Sequence, residues 1–169
     1  NYVNVGHIDW SATANYNKVE VTKVNQAPTQ LLPQTLLNAT AISDLETASP
    51  KFRLNLGALW KQGKWSVNLR ESFYGPSSEM DSYDGSTYFE TKIKTKAITD
   101  LDVAYRITKA LTLSAGANNL FNTYPDKNNA SLMAVQRAHL STGAVTQYPS
   151  FSPFGINGGY YYARLNYTW

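Results

Sequence analysis

Ile8-Asp9-Trp10-Ser11-Ala12-Thr13-Ala14-Asn15-Tyr16-Asn17 is the stretch on which the reading of this chain turns. Ile8, Trp10, Ala12, Ala14 and Tyr16 fall on one parity. Asp9, Ser11, Thr13, Asn15 and Asn17 fall on the other without exception. A period of two is what a strand with one apolar face imposes, because successive side chains point to opposite sides of a sheet. Beyond Lys18 the parity changes, with Val19 and Val21 apolar, as expected for a bulge or for the strand's exit from an apolar band.

The same pattern recurs along the chain. Phe52, Leu54, Leu56, Ala58 and Trp60 alternate with Arg53, Asn55 and Gly57. A tight Lys61-Gln62-Gly63-Lys64 turn follows, and then Trp65, Val67, Leu69 and Phe73 alternate with Ser66, Asn68, Arg70 and Ser72, which predicts a hairpin. Leu101, Val103 and Tyr105 alternate with Asp100, Asp102, Ala104 and Arg106. A turn near Thr108-Lys109 leads to Leu111, Leu113, Ala115 and Ala117 against Thr112, Ser114, Gly116 and Asn118. Tyr161, Ala163, Leu165, Tyr167 and Trp169 alternate with Tyr162, Arg164, Asn166 and Thr168. Three stretches lack the pattern and read as long loops: Pro28 to Pro50, Gly75 to about Glu90, and about Leu120 to Asn157. Leu31-Leu32 and Leu36-Leu37 read as apolar packing within the first of these.

The expected fold is therefore all-β and antiparallel, with about six strands whose short turns and long loops alternate. That alternation is the arrangement of outer-membrane barrels, with the short turns at the periplasmic side and the long loops outside. A soluble sandwich also alternates. Two features favour lipid: Trp10, Trp60, Trp65, Tyr105, Tyr167 and Trp169 lie near strand ends, where an aromatic girdle sits, and Ala12, Ala14, Ala58, Ala115 and Ala117 dilute the apolar face. In the barrel reading Asp9, Arg53, Arg70, Asp100, Asp102, Arg106 and Arg164 share the parity that faces the lumen. Glu71 is the exception on the apolar parity, near the outer end of its strand.

Composition closes other routes. The 169 residues contain no cysteine, so no disulfide, thiol nucleophile or thiolate metal site is available. Net charge is +3, and the basic residues are spread rather than gathered, which gives no nucleic-acid footprint. Mean hydropathy is −0.38, and no apolar run approaches the roughly 18 residues of a transmembrane helix. A strand barrel needs no such run. The start, Asn1 to His7, has neither the basic residues nor the apolar stretch of a signal peptide and lacks an initiator Met, so a mature, truncated or cleaved chain is expected. The two histidines, His7 and His139, belong to no catalytic motif, so neither an enzyme nor a cofactor is expected. Glu79, Asp81 and Asp84-Gly85 lack the full calcium-loop spacing and read as a solvated acidic loop. Asn38-Ala39-Thr40 and Asn129-Ala130-Ser131 fit the glycosylation pattern, which has no meaning in a bacterial outer membrane.

The segment Leu111 to Pro125, containing Asn119-Leu120-Phe121-Asn122, resembles the penultimate strand of TonB-dependent receptors, with Asn122 where Asp is commoner. Ser152 to Trp169 is similar to that family's final strand with its terminal aromatic. The resemblance implies that the chain, residues 1–169, is the C-terminal part of a 22-stranded barrel, with the plug domain absent from it. It implies a bacterial outer-membrane location and active uptake of a scarce nutrient (siderophore, vitamin, glycan or peptide) driven by TonB. A passive porin or a secretion translocator is the alternative, disfavoured by the Asn-Leu-Phe-Asn segment. The partners implied are the remainder of the barrel and the plug, outer-membrane lipid, TonB through the absent plug segment, and the outer-membrane assembly machinery; nucleic acid is not among them. Tyr83, Tyr88, Tyr148 and Phe151 would help form a ligand vestibule. Tyr161, Ala163, Leu165, Tyr167 and Trp169 would form the signal read by the assembly machinery.

Overall fold

The computed structural model describes residues 5–26, 28–29, 37–139 and 145–169. Leu31, Leu32 and Leu36 lie outside them. Six strands form one antiparallel sheet: β1 (His7–Tyr16), β2 (Phe52–Gln62), β3 (Trp65–Tyr74), β6 (Lys96–Arg106), β7 (Leu111–Asn118) and β8 (Tyr160–Tyr167), in the order β1-β2-β3-β6-β7-β8. The sheet is open, and β1 and β8 are its edges. The remaining elements are the strands β4 (Ser77–Ser82) and β5 (Tyr88–Ile93) and the helices α1 (Ala39–Glu46) and α2 (Ala130–His139). Neither helix is long and apolar enough to cross a membrane.

The turns follow from local chemistry. Gln62 pairs with Trp65 across Gly63-Lys64, and Gly63 has φ +57, a left-handed conformation that glycine adopts without steric penalty. The β6–β7 turn is held by Thr108, whose Oγ1 accepts from the backbone N–H groups of Ala110 and Leu111 at 3.2 and 3.0 Å. Arg106 donates from Nη2 to the Gly63 carbonyl at 3.3 Å and so ties the two short turns together. The first strand ends at Tyr16, so the parity change at Val19 marks the exit from the sheet and not a bulge. The last strand ends at Tyr167, two residues earlier than the alternation suggests, although the Thr168 N–H still reaches the Ala110 carbonyl at 2.9 Å.

The three expected loops are only partly irregular. The second is a hairpin: Ser77 pairs with Ile93 and Ser82 with Tyr88. Its register continues that of Tyr74 with Lys96 without an inserted residue, so β3–β4 and β5–β6 are two legs of one long hairpin broken at Gly75-Pro76 and Lys94-Thr95. Pro76 has no N–H to give the ladder, which accounts for a break there. The other two loops each hold a helix. Asn38 caps α1, accepting from the Ala41 N–H at 2.8 Å, and Asn129 caps α2, accepting from Ser131 at 2.9 Å. The two Asn-Ala-Thr/Ser segments are thus helix starts.

These additions cover the free edges of the small hairpin. Along β4, the Ser78 N–H donates to the Thr47 carbonyl at 2.9 Å, Thr47 Oγ1 donates to the Ser78 carbonyl at 2.6 Å, and the Met80 N–H donates to Ser43 Oγ at 2.9 Å. Along β5, Asn129 donates from Nδ2 to the Glu90 carbonyl and from its backbone N–H to Thr91 Oγ1, and Asp126 accepts from the Lys94 N–H at 2.8 Å. An uncovered edge would expose a row of unpaired donors and acceptors. The most buried side chains, Ile93 and Leu132 at 2% exposure, belong to this upper storey.

Candidate functional site

Residues paired across strands share a face, so the register assigns every side chain of the wall to one of two sides. Trp10 opposes Ala58, Ala58 opposes Leu69, Leu69 opposes Leu101, and Leu101 opposes Ala117; at the other edge Leu113 opposes Leu165. This apolar rung crosses the six strands and is most exposed at the sheet's edges, where Trp10 is 77% and Leu165 65% exposed. Trp10, Trp60, Trp65, Tyr105 and Tyr167 stand toward its short-turn end, with Trp65 and Tyr105 in ring contact at 4.7 Å. Tyr16, Phe52, Phe73 and Tyr161 stand toward the other end. Ala, Leu and Val fill the middle. On β2, Trp60 and Phe52 are separated by a run of roughly 27 Å along the strand at ~3.4 Å per residue. At a tilt of ~40° this spans roughly 20 Å of height, close to the ~25 Å apolar band of an outer-membrane barrel. Glu71, the acidic exception, opposes Thr99, whose Oγ1 donates to its Oε2 at 2.6 Å.

Asp9, Arg53, Arg70, Asp100, Asp102 and Arg164 lie on the opposite face, and Arg106 pairs there with Thr112. Several are bonded to one another across the strands. Arg70 Nη2 meets Asp100 Oδ2 at 3.3 Å, Tyr162 donates to Asp102 Oδ2 at 2.8 Å, and the Arg164 guanidinium lies 5.2 Å from the Tyr162 ring centre. Ser72 donates to Asn55 Oδ1 at 2.9 Å, and the Arg53 guanidinium sits 4.8 Å over the Tyr74 ring. A hollow of about 390 Å³ opens on this face among Arg53, Asn55, Arg70, Ser72, Tyr74 and Asp100.

The Asn119-Leu120-Phe121-Asn122 segment forms the rim where β7 leaves the sheet. Asn119 and Asn122 both have φ +55, a region in which Asn is the commonest residue after Gly. The Asn119 amide accepts from the Thr123 N–H at 2.8 Å and donates to the Thr123 carbonyl at 2.7 Å, while its backbone N–H donates to Asp100 Oδ1 at 2.9 Å. Asn122 Oδ1 accepts from the Gly159 N–H at 2.8 Å, and Tyr161 donates from its hydroxyl to the Leu120 carbonyl at 3.0 Å. Gly158, at φ +72, lies so close to Tyr124 and Asn122 that a Cβ would overlap both. The rim thus joins the start of the last long loop to its end.

In the upper storey three of the four expected vestibule aromatics make local contacts of their own. Tyr83 stacks on His139 at 4.8 Å, Tyr88 donates from its hydroxyl to the Gly85 carbonyl at 3.0 Å, and Tyr148 stacks on Tyr124 at 5.2 Å. Among the described residues no ring contact joins any two of Tyr83, Tyr88, Tyr148 and Phe151. Asp84 is consumed by the hairpin tip: the N–H groups of Thr87 and Ser86 donate to it at 2.7 and 2.9 Å and hold its carboxyl well below the usual range. Glu79, beside the docked α1, is pushed up to about 7, first by burial, then by the Asp44 carboxyl bonded to it and by the charges of Asp44 and Asp81. Among the described residues no group of His, Asp and Glu is placed to hold a metal ion.

Sequence reasoning missed a basic cavity of about 370 Å³ at the base of the β4–β5 hairpin, lined by Lys51, Ser49, Pro76, Ser78, Lys92 and Lys94, among others. Lys51 continues the parity of Arg53; Lys92 and Lys94 continue the parity of Lys96, which shares the polar face with Tyr74. The spacing Lys92-x-Lys94-x-Lys96 was the available signal.

A family model matches most of this chain. The model described as TonB dependent receptor-like, beta-barrel matches residues 3–120. The chain belongs to that family. Among solved structures it is similar to a mutant of the ferric enterobactin receptor PfeA from Pseudomonas aeruginosa, with 20% identity and a TM-score of 0.56 over 96% of this chain and 20% of that one. It is also similar to the pyoverdine outer membrane receptor FpvA from Pseudomonas aeruginosa, with 18% identity and a TM-score of 0.52 over 74% of this chain and 16% of that one. Both likenesses are of fold. The chain spans about a fifth of the length of the enterobactin receptor chain it matches. Comparison with curated protein sequences finds no match.

Proposed function

We propose that these residues form a late portion of the barrel wall of a bacterial outer-membrane importer driven by TonB. The observation that carries the reading is the single register across six strands, which separates an apolar face, banded by aromatics at both ends, from a bonded polar face. In this reading the apolar face meets lipid. Asp9, Arg53, Arg70, Asp100, Asp102, Arg106 and Arg164 line the lumen, and the hollow at Arg53 and Asp100 receives part of a plug carried elsewhere in the protein. The free edges of β1 and β8 support the same reading. Lipid offers no partner for their N–H and C=O groups, so other strands of a barrel of about 22 must pair with them.

The ligands named for the solved relatives, ferric enterobactin and pyoverdine, make a ferric siderophore the first substrate class to try. Tyr83, Tyr88, Tyr148 and Phe151 remain proposed vestibule residues. Tyr161, Ala163, Leu165 and Tyr167 lie on the apolar face of an edge strand with Trp169 beyond it, an arrangement suited to β-addition onto the assembly machinery. Trp169→Ala should lower the amount of intact protein assembled in the outer membrane much more than it lowers the melting temperature of the molecules that do assemble.

The test of transport is uptake of ferric siderophores by cells expressing the intact gene, with and without the inner-membrane energy coupler. Loss of uptake with the coupler removed is expected. Uptake that continues unchanged without it means a passive pore.

A further inference from the structure

An Asn or Asp followed by Gly occurs twice in the sequence, as Asp84-Gly85 at the tip of the β4–β5 hairpin and as Asn157-Gly158 shortly before β8. Such a pair can react with itself, because glycine has no Cβ to keep its backbone nitrogen away from the preceding side-chain carbonyl carbon. The structure treats the two pairs differently. The Gly85 N–H donates to Ser82 Oγ at 2.9 Å. The Asp84 carboxylate accepts from the Ser86 and Thr87 N–H groups at 2.9 and 2.7 Å and from the Ser82 and Thr87 hydroxyls at 3.1 and 3.2 Å. Attacking and attacked groups are both engaged there. Asn157 is exposed and lies in a bend outside helix and strand. Among the described residues no hydrogen bond engages the Asn157 side chain or the Gly158 N–H.

We propose that Asn157 is a site of spontaneous covalent modification, at which the Gly158 nitrogen attacks the Asn157 side-chain amide and the residue becomes isoaspartate or aspartate. Hydroxide takes the proton of the Gly158 N–H, and a bond forms between that nitrogen and Asn157 Cγ. The Cγ–Nδ2 bond breaks, and the amide nitrogen leaves as ammonia with a proton from water. Water then opens the five-membered imide at either carbonyl. Opening at the main-chain carbonyl gives isoaspartate, whose backbone runs through Cγ; opening at Cγ gives aspartate. Position gives the change a consequence. Gly158, at φ +72, packs so closely on Tyr124 and Asn122 that a Cβ would overlap both, and the Gly159 N–H donates to Asn122 Oδ1 at 2.8 Å. Isoaspartate lengthens the main chain by one carbon directly before these contacts, and either product adds a negative charge. The isoaspartyl form therefore loosens the closure between the two ends of the last long loop. The reaction is independent of transport.

The full-length protein in nanodiscs is aged at pH 7.4 and at pH 8.4, beside a sample unfolded in guanidinium. The peptides holding Asn157 and Asp84 are followed by mass spectrometry, with an isoaspartyl methyltransferase as the reporter of isoaspartate. Folded Asn157 should convert within about tenfold of its unfolded rate, and about tenfold faster at pH 8.4 than at pH 7.4, since the attacking nitrogen must lose its proton. Asp84 should isomerise more than about tenfold slower folded than unfolded, because its hydrogen bonds hold both groups. Folded Asn157 that converts more than tenfold slower than unfolded Asn157 overturns the proposal, because the fold then protects the pair. Asn157→Gln would have to close a larger ring and should remove the signal; isoaspartate that persists in this variant places the reaction at another residue and overturns the proposal as well. Hydrogen exchange at the Gly159 amide tests the consequence. Faster exchange is expected in the aged wild type and not in freshly made Asn157→Asp, which has the charge without the extra carbon. Equal exchange in aged and fresh wild type overturns the loosening alone.

Discussion

Asn119 shows how much a single side chain carries. It takes a left-handed backbone conformation, closes two hydrogen bonds on Thr123, and offers its own N–H to Asp100, while its side chain is buried. Asn119→Ala loses both amide bonds, each worth about 1 kcal/mol, and adds a left-handed penalty of about 1–2 kcal/mol. The expected cost is about 3 kcal/mol in guanidinium unfolding of the intact protein in detergent. Asn119→Gly should cost about 1 kcal/mol less than Ala, because glycine keeps the backbone conformation. Equal losses for the two variants would mean that the backbone conformation contributes nothing. Asn122 does different work with the same φ, since its Oδ1 reaches forward to Gly159. The two asparagines of the motif therefore close the loop at both ends.

Among the elements, α1 has the most conditional attachment. Its buried Ser43 receives the Met80 N–H, and Thr47 brackets Ser78, so Asp44 and Glu79 are held side by side between those contacts. Glu79 binds its proton more tightly in the folded protein, about 7 against 4.5. Between these values the folded state holds more protons than the open one, so docking is strongest below 4.5 and weakens as pH rises through about 7. Hydrogen exchange of the α1 amides, corrected for intrinsic rate, should show less protection at pH 8 than at pH 5. Glu79→Gln should remove that difference. Protection that rises with pH would contradict the shared-proton contact.

At the scale of the whole molecule the two faces of the wall make opposite demands. Leu69 and Asn68 are neighbours on β3, opposite Leu101 and Asp102 respectively. Leu69 lies midway between Trp65 and Phe73, so in the proposed barrel Leu69→Arg places a guanidinium near the middle of the lipid band and should cost about 2–4 kcal/mol. Asn68→Arg faces the polar side and should cost under about 1 kcal/mol. Folding into liposomes from guanidinium measures both in the intact protein. Similar costs for the two would mean that the faces are not lipid and lumen.

The strands of the wall and the side of each residue were legible in the amino-acid sequence because period two is a local property: a strand with one apolar face writes its alternation residue by residue. Trp10 with Asp9, and Leu113 with Thr112, needed no knowledge of distant chain. The turn at Gly63 was legible for the same reason. The β4–β5 hairpin was not, because Ser, Glu, Thr and Lys occupy both of its faces and erase the contrast on which alternation depends. The short helices were hidden as well; α1 and α2 are fixed by their caps, Asn38 and Asn129, and by packing on the hairpin rather than by a long apolar stripe. Only the tertiary structure decided which segments cover the edges of that hairpin, why Glu79 holds its proton, and where the basic cavity lies. Each depends on chain far away in sequence: Asp44 comes to Glu79 from α1, and Lys51 comes to Lys92 and Lys94 from the far side of the hairpin. Proximity of that kind is set by packing and register, not by local pattern.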